Sequence, residues 1–76
     1  MTVKIYTTST CTYCTMAKEF FRKNSVQYTE INVEKDRKAA EEMIEKSGQL
    51  GVPVIDVNGT IIVGFNRPAI EKALKQ

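Results

Sequence analysis

The chain's two cysteines lie three positions apart, in Cys11-Thr12-Tyr13-Cys14. Thiols at this spacing can run thiol–disulfide exchange. One attacks a substrate disulfide, and the other resolves the mixed disulfide by closing a small ring. Attack needs the thiolate, so the groups around each sulfur decide whether the chemistry runs. Histidine is absent, which removes His-based acid–base catalysis, Cys–His nucleophile pairs and most zinc sites together. Backbone groups and other side chains must activate the thiols. A tetrahedral metal site wants four ligands, and two cysteines without His supply only half. No metal or other cofactor is therefore expected within one chain. The competing reading is a zinc or iron–sulfur centre shared between two chains through Cys11. A merely structural role, as a small core residue, suits Cys14 alone better than it suits the pair.

The flanking elements must position these thiols. Residues 3–8, Val-Lys-Ile-Tyr-Thr-Thr, are strand-like. The polar run Ser9-Thr10-Cys11-Thr12 suits a helix start. From there to about Lys23, Cys14, Ala17, Phe20 and Phe21 fall on one helical face. Cys11 then sits at or just before the first helical residue, near unpaired N–H groups at the positive end of the dipole, which favours its thiolate. Cys14 lies about one turn deeper on the same side. Cys11 is thus the expected attacking thiol and Cys14 the resolving thiol.

The rest of the chain alternates strand and helix signals. Residues 26–33 alternate as a second strand. Asp36 can cap a helix over 37–47 with Ala39/Ala40, Met43 and Ile44 inward, and Gly48 can end it with φ > 0. Val54–Val57 and Thr60–Val63 flank Asn58-Gly59, a strong type I′ hairpin signal. Gly64 closes the last strand. Asn66 can cap a helix over 67–75 with Ile70, Ala73 and Leu74 inward. The order β-α-β-α-β-β-α, with a right-handed parallel first crossover, gives an α/β fold. It has a mixed four-stranded sheet with helices on its faces.

Three further features lie near the expected site. Pro53 opens a strand aimed beside the cysteines. Most X–Pro bonds are trans, but a cis bond there would turn the Val52 N–H and C=O outward, where an extended peptide could pair with them. Tyr13, between the cysteines, is either an aromatic face for a partner or a solvated ring. Gly64-Phe65-Asn66-Arg67 is either a helix N-terminus for a carboxylate or a plain turn and cap, with Phe65 a core or a docking aromatic. Lys4, Lys18, Arg37 and Lys38 read as solvated charges.

Composition narrows the function. The 76 residues suit one domain, 1–76, with room for one small core and no enclosed substrate chamber. The chain is 42% hydrophobic and 26% charged, ordinary for a soluble globular protein. A net charge of +2 with interleaved signs does not suggest nucleic acid as a partner. No apolar stretch approaches the roughly 20 residues that span a bilayer, so no membrane partner is expected. Met1-Thr2-Val3-Lys4 lacks the order of a signal peptide. A reducing cytoplasm is the expected location, where a transient catalytic disulfide is favoured over a structural one.

These residues resemble the glutaredoxin branch of the thioredoxin fold, over essentially the whole chain. Cys11-Thr12-Tyr13-Cys14, Gly51-Val52-Pro53 and the Gly64 turn fall where that family has its motifs. The resemblance implies Cys11 as nucleophile, Cys14 as resolving thiol, a cis Pro53 beside the active site, and Val52 as backbone contact to the substrate's cysteinyl segment. Thr12, Tyr13, Gly64, Phe65 and Asn66 would complete a substrate-binding surface. Disulfide-bearing proteins are the implied substrates of a monomer. The departures bear on the electron donor. Thr12 replaces a proline, Thr8 a lysine and Gly51 a threonine, and Arg67 stands where an acidic residue grips glutathione. Gly64-Phe65 followed by Arg67-Pro68 resembles the small redoxins that take electrons from thioredoxin reductase, some of which serve ribonucleotide reductase. A thioredoxin-reductase-type flavoprotein is therefore expected as donor ahead of glutathione.

Overall fold

The computed structural model describes residues 2–75; Met1 and Gln76 lie outside them. The elements follow in the expected order: β1 Val3–Thr7, α1 Thr12–Lys23, β2 Thr29–Asn32, α2 Arg37–Ser47, β3 Val54–Val57, β4 Thr60–Val63 and α3 Arg67–Leu74. The sheet order is β2-β1-β3-β4, with β1 and β2 parallel and the other pairs antiparallel.

Strand alternation splits the core in two. Val3, Ile5, Ile55, Val57 and Ile62 pack with Ala17, Phe20 and Phe21 of α1 and with Ile70 and Ala73 of α3. Tyr6 and Val54 pack with Ala39 and Met43 of α2. Each helix is closed by local chemistry. Asp36 accepts the Ala39 N–H at 3.0 Å at the start of α2, and Asn66 accepts the Ala69 N–H at 3.3 Å at the start of α3. Gly48 ends α2 with φ 76°, donating its N–H to the Ile44 carbonyl at 2.7 Å. In the β3–β4 hairpin, Asn58 and Gly59 both have positive φ, 51° and 95°, as a type I′ turn requires. The Asp56 carboxylate steadies the turn by accepting the Gly59 N–H at 2.7 Å.

Four expectations need adjusting. The first strand ends at Thr7, not Thr8. The second covers residues 29–32, not 26–33. Ser25 turns through φ 56°, and the Val26 N–H is taken by the Phe21 carbonyl at 2.9 Å, so that stretch closes α1 instead of pairing with β1. Val26 and Tyr28 still pack against the core, which is why the apolar alternation continues beyond the strand. On α2 the inward stripe is narrower than expected, with Ala39 and Met43 buried and Ile44 38% exposed. Helix α3 ends at Leu74, which is only partly buried.

Candidate active site

Cys11 is the N-cap of α1, with extended backbone (φ −99°, ψ 111°), and its side chain takes the place usually held by a Ser or Asp oxygen. Cys11 Sγ accepts the Cys14 N–H at 3.2 Å. An orphan amide of the first turn is thereby aimed at the sulfur that would carry negative charge. Its carbonyl accepts the Thr15 N–H at 3.2 Å, which fixes the cap to the helix.

Cys14 is buried, 1% exposed, while Cys11 is partly open to solvent, and both thiols are unbonded. Burial pushes the Cys14 thiol up to about 12, helped by its hydrogen bond to Cys11; the Thr8 amide and the Lys18 ammonium act the other way. The Cys14 thiol therefore stays protonated at neutral pH. The i,i+3 spacing puts both residues on one side of the first turn of α1.

The second wall of the site comes from β3. The Val52–Pro53 peptide bond is cis. Tyr6 pairs with Val54 in the β1–β3 ladder, so buried Pro53 lies beside Thr7, at the end of the strand that leads into Cys11. The Gly64 N–H donates to the Pro53 carbonyl at 2.8 Å, which ties the end of β4 to this point. Among the described residues, neither the N–H nor the C=O of Val52 has a backbone partner.

Two carboxylates from the β2 segment brace the cysteine loop from beneath. Glu34 accepts the Ser9 N–H at 2.6 Å, and the Asn32 amide donates to Ser9 Oγ at 3.2 Å. Glu30 accepts from the buried Thr7 hydroxyl at 2.9 Å and from Lys18 Nζ at 3.0 Å. The Lys18 ammonium holds the Glu30 carboxyl below its ordinary range, and the Thr7 hydroxyl adds to this.

Of the residues singled out from sequence, Cys11, Thr12, Tyr13 and Cys14 gather at the head of α1. Val52, Pro53 and Gly64 gather at the adjoining end of the sheet. Tyr13 is 62% exposed. Phe65 instead leans edge-on against Phe20, with ring centroids 6.1 Å apart, and Asn66 spends its side chain capping α3. The Arg67 guanidinium lies 5.2 Å from the Phe20 ring centroid and 3.8 Å from Glu71. Lys18, read from sequence as a solvated charge, is instead bonded to Glu30. Sequence reasoning also missed Thr7, Glu30 and Glu34, since no local pattern marks an acid that pairs across the sheet. Among the described residues no group of three or more His, Cys, Asp or Glu could hold a metal ion, so a shared centre would need ligands from a second chain. Among the described residues, no helix is long and apolar enough to cross a membrane.

A sheet of order β2-β1-β3-β4, redox-spaced cysteines heading α1 and a cis proline opposite them define a thioredoxin-like fold. The glutaredoxin family model matches residues 3–62. An uncharacterised glutaredoxin-like 8.6 kDa protein in a rubredoxin operon of Clostridium pasteurianum is 43% identical over 74 residues, 97% of this chain and 99% of that one. Glutaredoxin 3 of Escherichia coli K12 is 37% identical over 62 residues, 82% of this chain and 75% of that one. Among solved structures, the glutaredoxin-like NrdH-redoxin of Escherichia coli, described as having a thioredoxin-like activity profile, superposes with a TM-score of 0.85. It is 26% identical, over 95% of this chain and 93% of its own. The chain belongs to the glutaredoxin family, and its general activity is that of a thiol–disulfide oxidoreductase.

Proposed function

We propose that this chain reduces protein disulfides by a two-cysteine cycle, as a monomer in a reducing cytoplasm. The observation that carries the reading is the asymmetry of the pair. Cys11 is partly open to solvent and its Sγ accepts a helix-terminal N–H, while Cys14 is buried. The Cys11 thiolate attacks a substrate disulfide, and one half of the substrate leaves as a thiolate. Cys14, once deprotonated, attacks Cys11 Sγ and releases the other half. The substrate gains two electrons, and the chain is left with a Cys11–Cys14 disulfide. The free backbone groups of Val52 would pair with the extended segment that carries the substrate cysteine, and Tyr13 would flank it. Thr12 and Gly64 would shape the rest of that surface, while Phe65 packs on Phe20 and Asn66 caps α3 at its margin.

For the electron donor, a flavoprotein of the thioredoxin reductase type is favoured over glutathione. Arg67 places a cation where the resemblance puts an acid for glutathione's amino group, and Phe20 and Glu71 hold it there. The likeness to a redoxin with a thioredoxin-like activity profile points the same way. The test compares re-reduction of the oxidised protein by NADPH with thioredoxin reductase against glutathione with glutathione reductase. Faster turnover in the second system would overturn the donor assignment. A Cys14→Ser chain should stall as a mixed disulfide on Cys11, detectable by intact mass. Full turnover by that variant would overturn the two-cysteine cycle.

A further inference from the structure

Lys18 is one turn beyond Cys14 on α1, an i,i+4 spacing that puts both on one side of the helix. It is not free to sweep through solvent. Its ammonium is bonded to Glu30 at 3.0 Å, and the same carboxylate oxygen accepts from the Thr7 hydroxyl at 2.9 Å. Thr7 is wholly buried at the end of β1, next to Thr8, whose amide acts on the Cys14 sulfur. The three residues come from α1, β2 and β1, and together they fix one cation beside the buried thiol's helix face.

Resting on the two-cysteine reading above, we propose that Lys18, anchored by Glu30 and Thr7, is a positioning residue for the resolving half of the cycle, where it favours the Cys14 thiolate.

The reason lies in how the surroundings of Cys14 change during turnover. In the reduced chain its thiol is held up by burial and then by Cys11, through a hydrogen bond and charge. Once Cys11 is in a mixed disulfide, it carries no negative charge, and that part of the opposition disappears. Burial remains. Against it stand the Thr8 amide and Lys18, the one cation among the described residues that acts on Cys14. The ionisable groups that bear on Cys14 are Cys11 at the head of α1, Lys18 on α1, and Glu30 on β2 acting through Lys18. The adjoining Thr7, Thr8, Val52 and Pro53 carry no ionisable side chain. In the resolving step the Cys14 proton goes to solvent, the Cys14–Cys11 bond forms, the Cys11–substrate bond breaks, and the substrate leaves as its thiolate. Lys18 therefore bears on this step and not on the first attack by Cys11. Glu30 partly offsets the Lys18 charge while holding it in place.

The probe is one equivalent of dithiobis(nitrobenzoate), whose coloured thiolate leaves once when Cys11 attacks and again when Cys14 resolves. Stopped-flow absorbance separates the two phases across pH. Lys18→Gln should slow the second phase about fivefold near neutrality and move its pH profile upward, while the first phase stays within twofold. Lys18→Arg should restore it. Glu30→Gln keeps an acceptor for Lys18 and Thr7 but removes the opposing charge, and should speed the second phase about twofold. Opposite signs in the two variants are the signature of charge. Slowing of both by a similar factor would indicate a mere brace and overturn the proposal, as would a second phase unchanged in Lys18→Gln. A wild-type chain that releases one coloured equivalent per molecule would overturn the two-cysteine reading itself and the role of Lys18 with it. Two equivalents with no effect of Lys18→Gln would overturn the role of Lys18 alone.

Discussion

On the face of the sheet that carries α1 and α3, the core is broad and aromatic, with Phe20 and Phe21 packed on Ile5, Ile55, Val57 and Ile70. The opposite face buries Tyr6, Ala39, Met43 and Val54 under α2. There a polar clamp adds to the smaller core. Lys46 Nζ donates to the buried Tyr6 hydroxyl and to Asp56, each at 3.1 Å. The α1 face has its own polar group, Lys18–Glu30–Thr7, but it sits at the end nearest the cysteines. Packing therefore holds the helix that presents the Cys11 sulfur, and on that side Lys18, Glu30 and Thr7 join at the end nearest the cysteines. Across the sheet, a lysine of similar length is used to hold a helix down.

The largest effect expected from breaking this division is chemical. Cys11→Ser should cost disulfide reductase activity at least about 1000-fold while leaving the urea midpoint close to wild type. An active variant would show that the α1 face owes its character to packing alone. Next come the two cores. Phe21→Ala should cost about 3–5 kcal/mol, a large share of a small domain's stability, and Met43→Ala about 2–3 kcal/mol. Urea unfolding of the two variants reads the difference directly, and equal losses would remove the distinction between the faces.

The polar groups should fail at different ends of the pH scale. The Glu30 carboxyl is held low, chiefly by Lys18, so its contribution is present above the ordinary carboxylate value and is lost as pH falls through the lower folded value. Lys46 is held high, first by the Tyr6 hydroxyl and then by Asp56. Its contribution is present below the ordinary lysine value and is lost as pH rises through the higher folded one. Cys14 adds to the alkaline loss, because the unfolded thiol ionises near 9 and the buried one at about 12. Denaturation followed against pH should show Glu30→Gln flattening only the acid limb. Lys46→Met should flatten part of the alkaline limb and leave the share due to Cys14. An acid limb unaltered in Glu30→Gln would detach that residue from the network. The smallest effects belong to the caps. Asp36→Ala and Asn66→Ala should each cost about 1 kcal/mol in the same urea assay, with α2 the more sensitive because less core holds it.

Much of this protein was legible residue by residue. Cys11 heads a helix because a polar run precedes an apolar stripe at helical spacing. Asn58-Gly59 turns the hairpin because few other pairs accept positive φ twice. Asp36, Gly48 and Asn66 act on groups within four positions of themselves. The element order followed from these signals, and so did the two-thiol arrangement, since both sulfurs belong to a single turn. The apolar alternation runs past the second strand because Val26 and Tyr28 are apolar for the sake of the core and not of a ladder. The helical stripe puts Ile44 inside, yet it is exposed, because a stripe read from sequence carries no measure of how wide a surface the sheet offers.

What only the tertiary structure decided are the pairings between distant positions. Thr7 meets Glu30, Ser9 meets Glu34, and Lys46 meets Tyr6, at separations of 23, 25 and 40 residues. Nothing local selects such partners, because a charged side chain looks the same in sequence whether it ends in water or on a buried hydroxyl. Burial of Cys14 is of the same kind. Its place on the inner face of α1 was readable, but the push on its thiol comes from the desolvation that the assembled sheet and helix impose. The chain by itself determined which two sulfurs stand at the spacing of thiol–disulfide exchange. Packing determined which of the two sulfurs is buried and which stays partly open, since only the folded molecule removes water from Cys14.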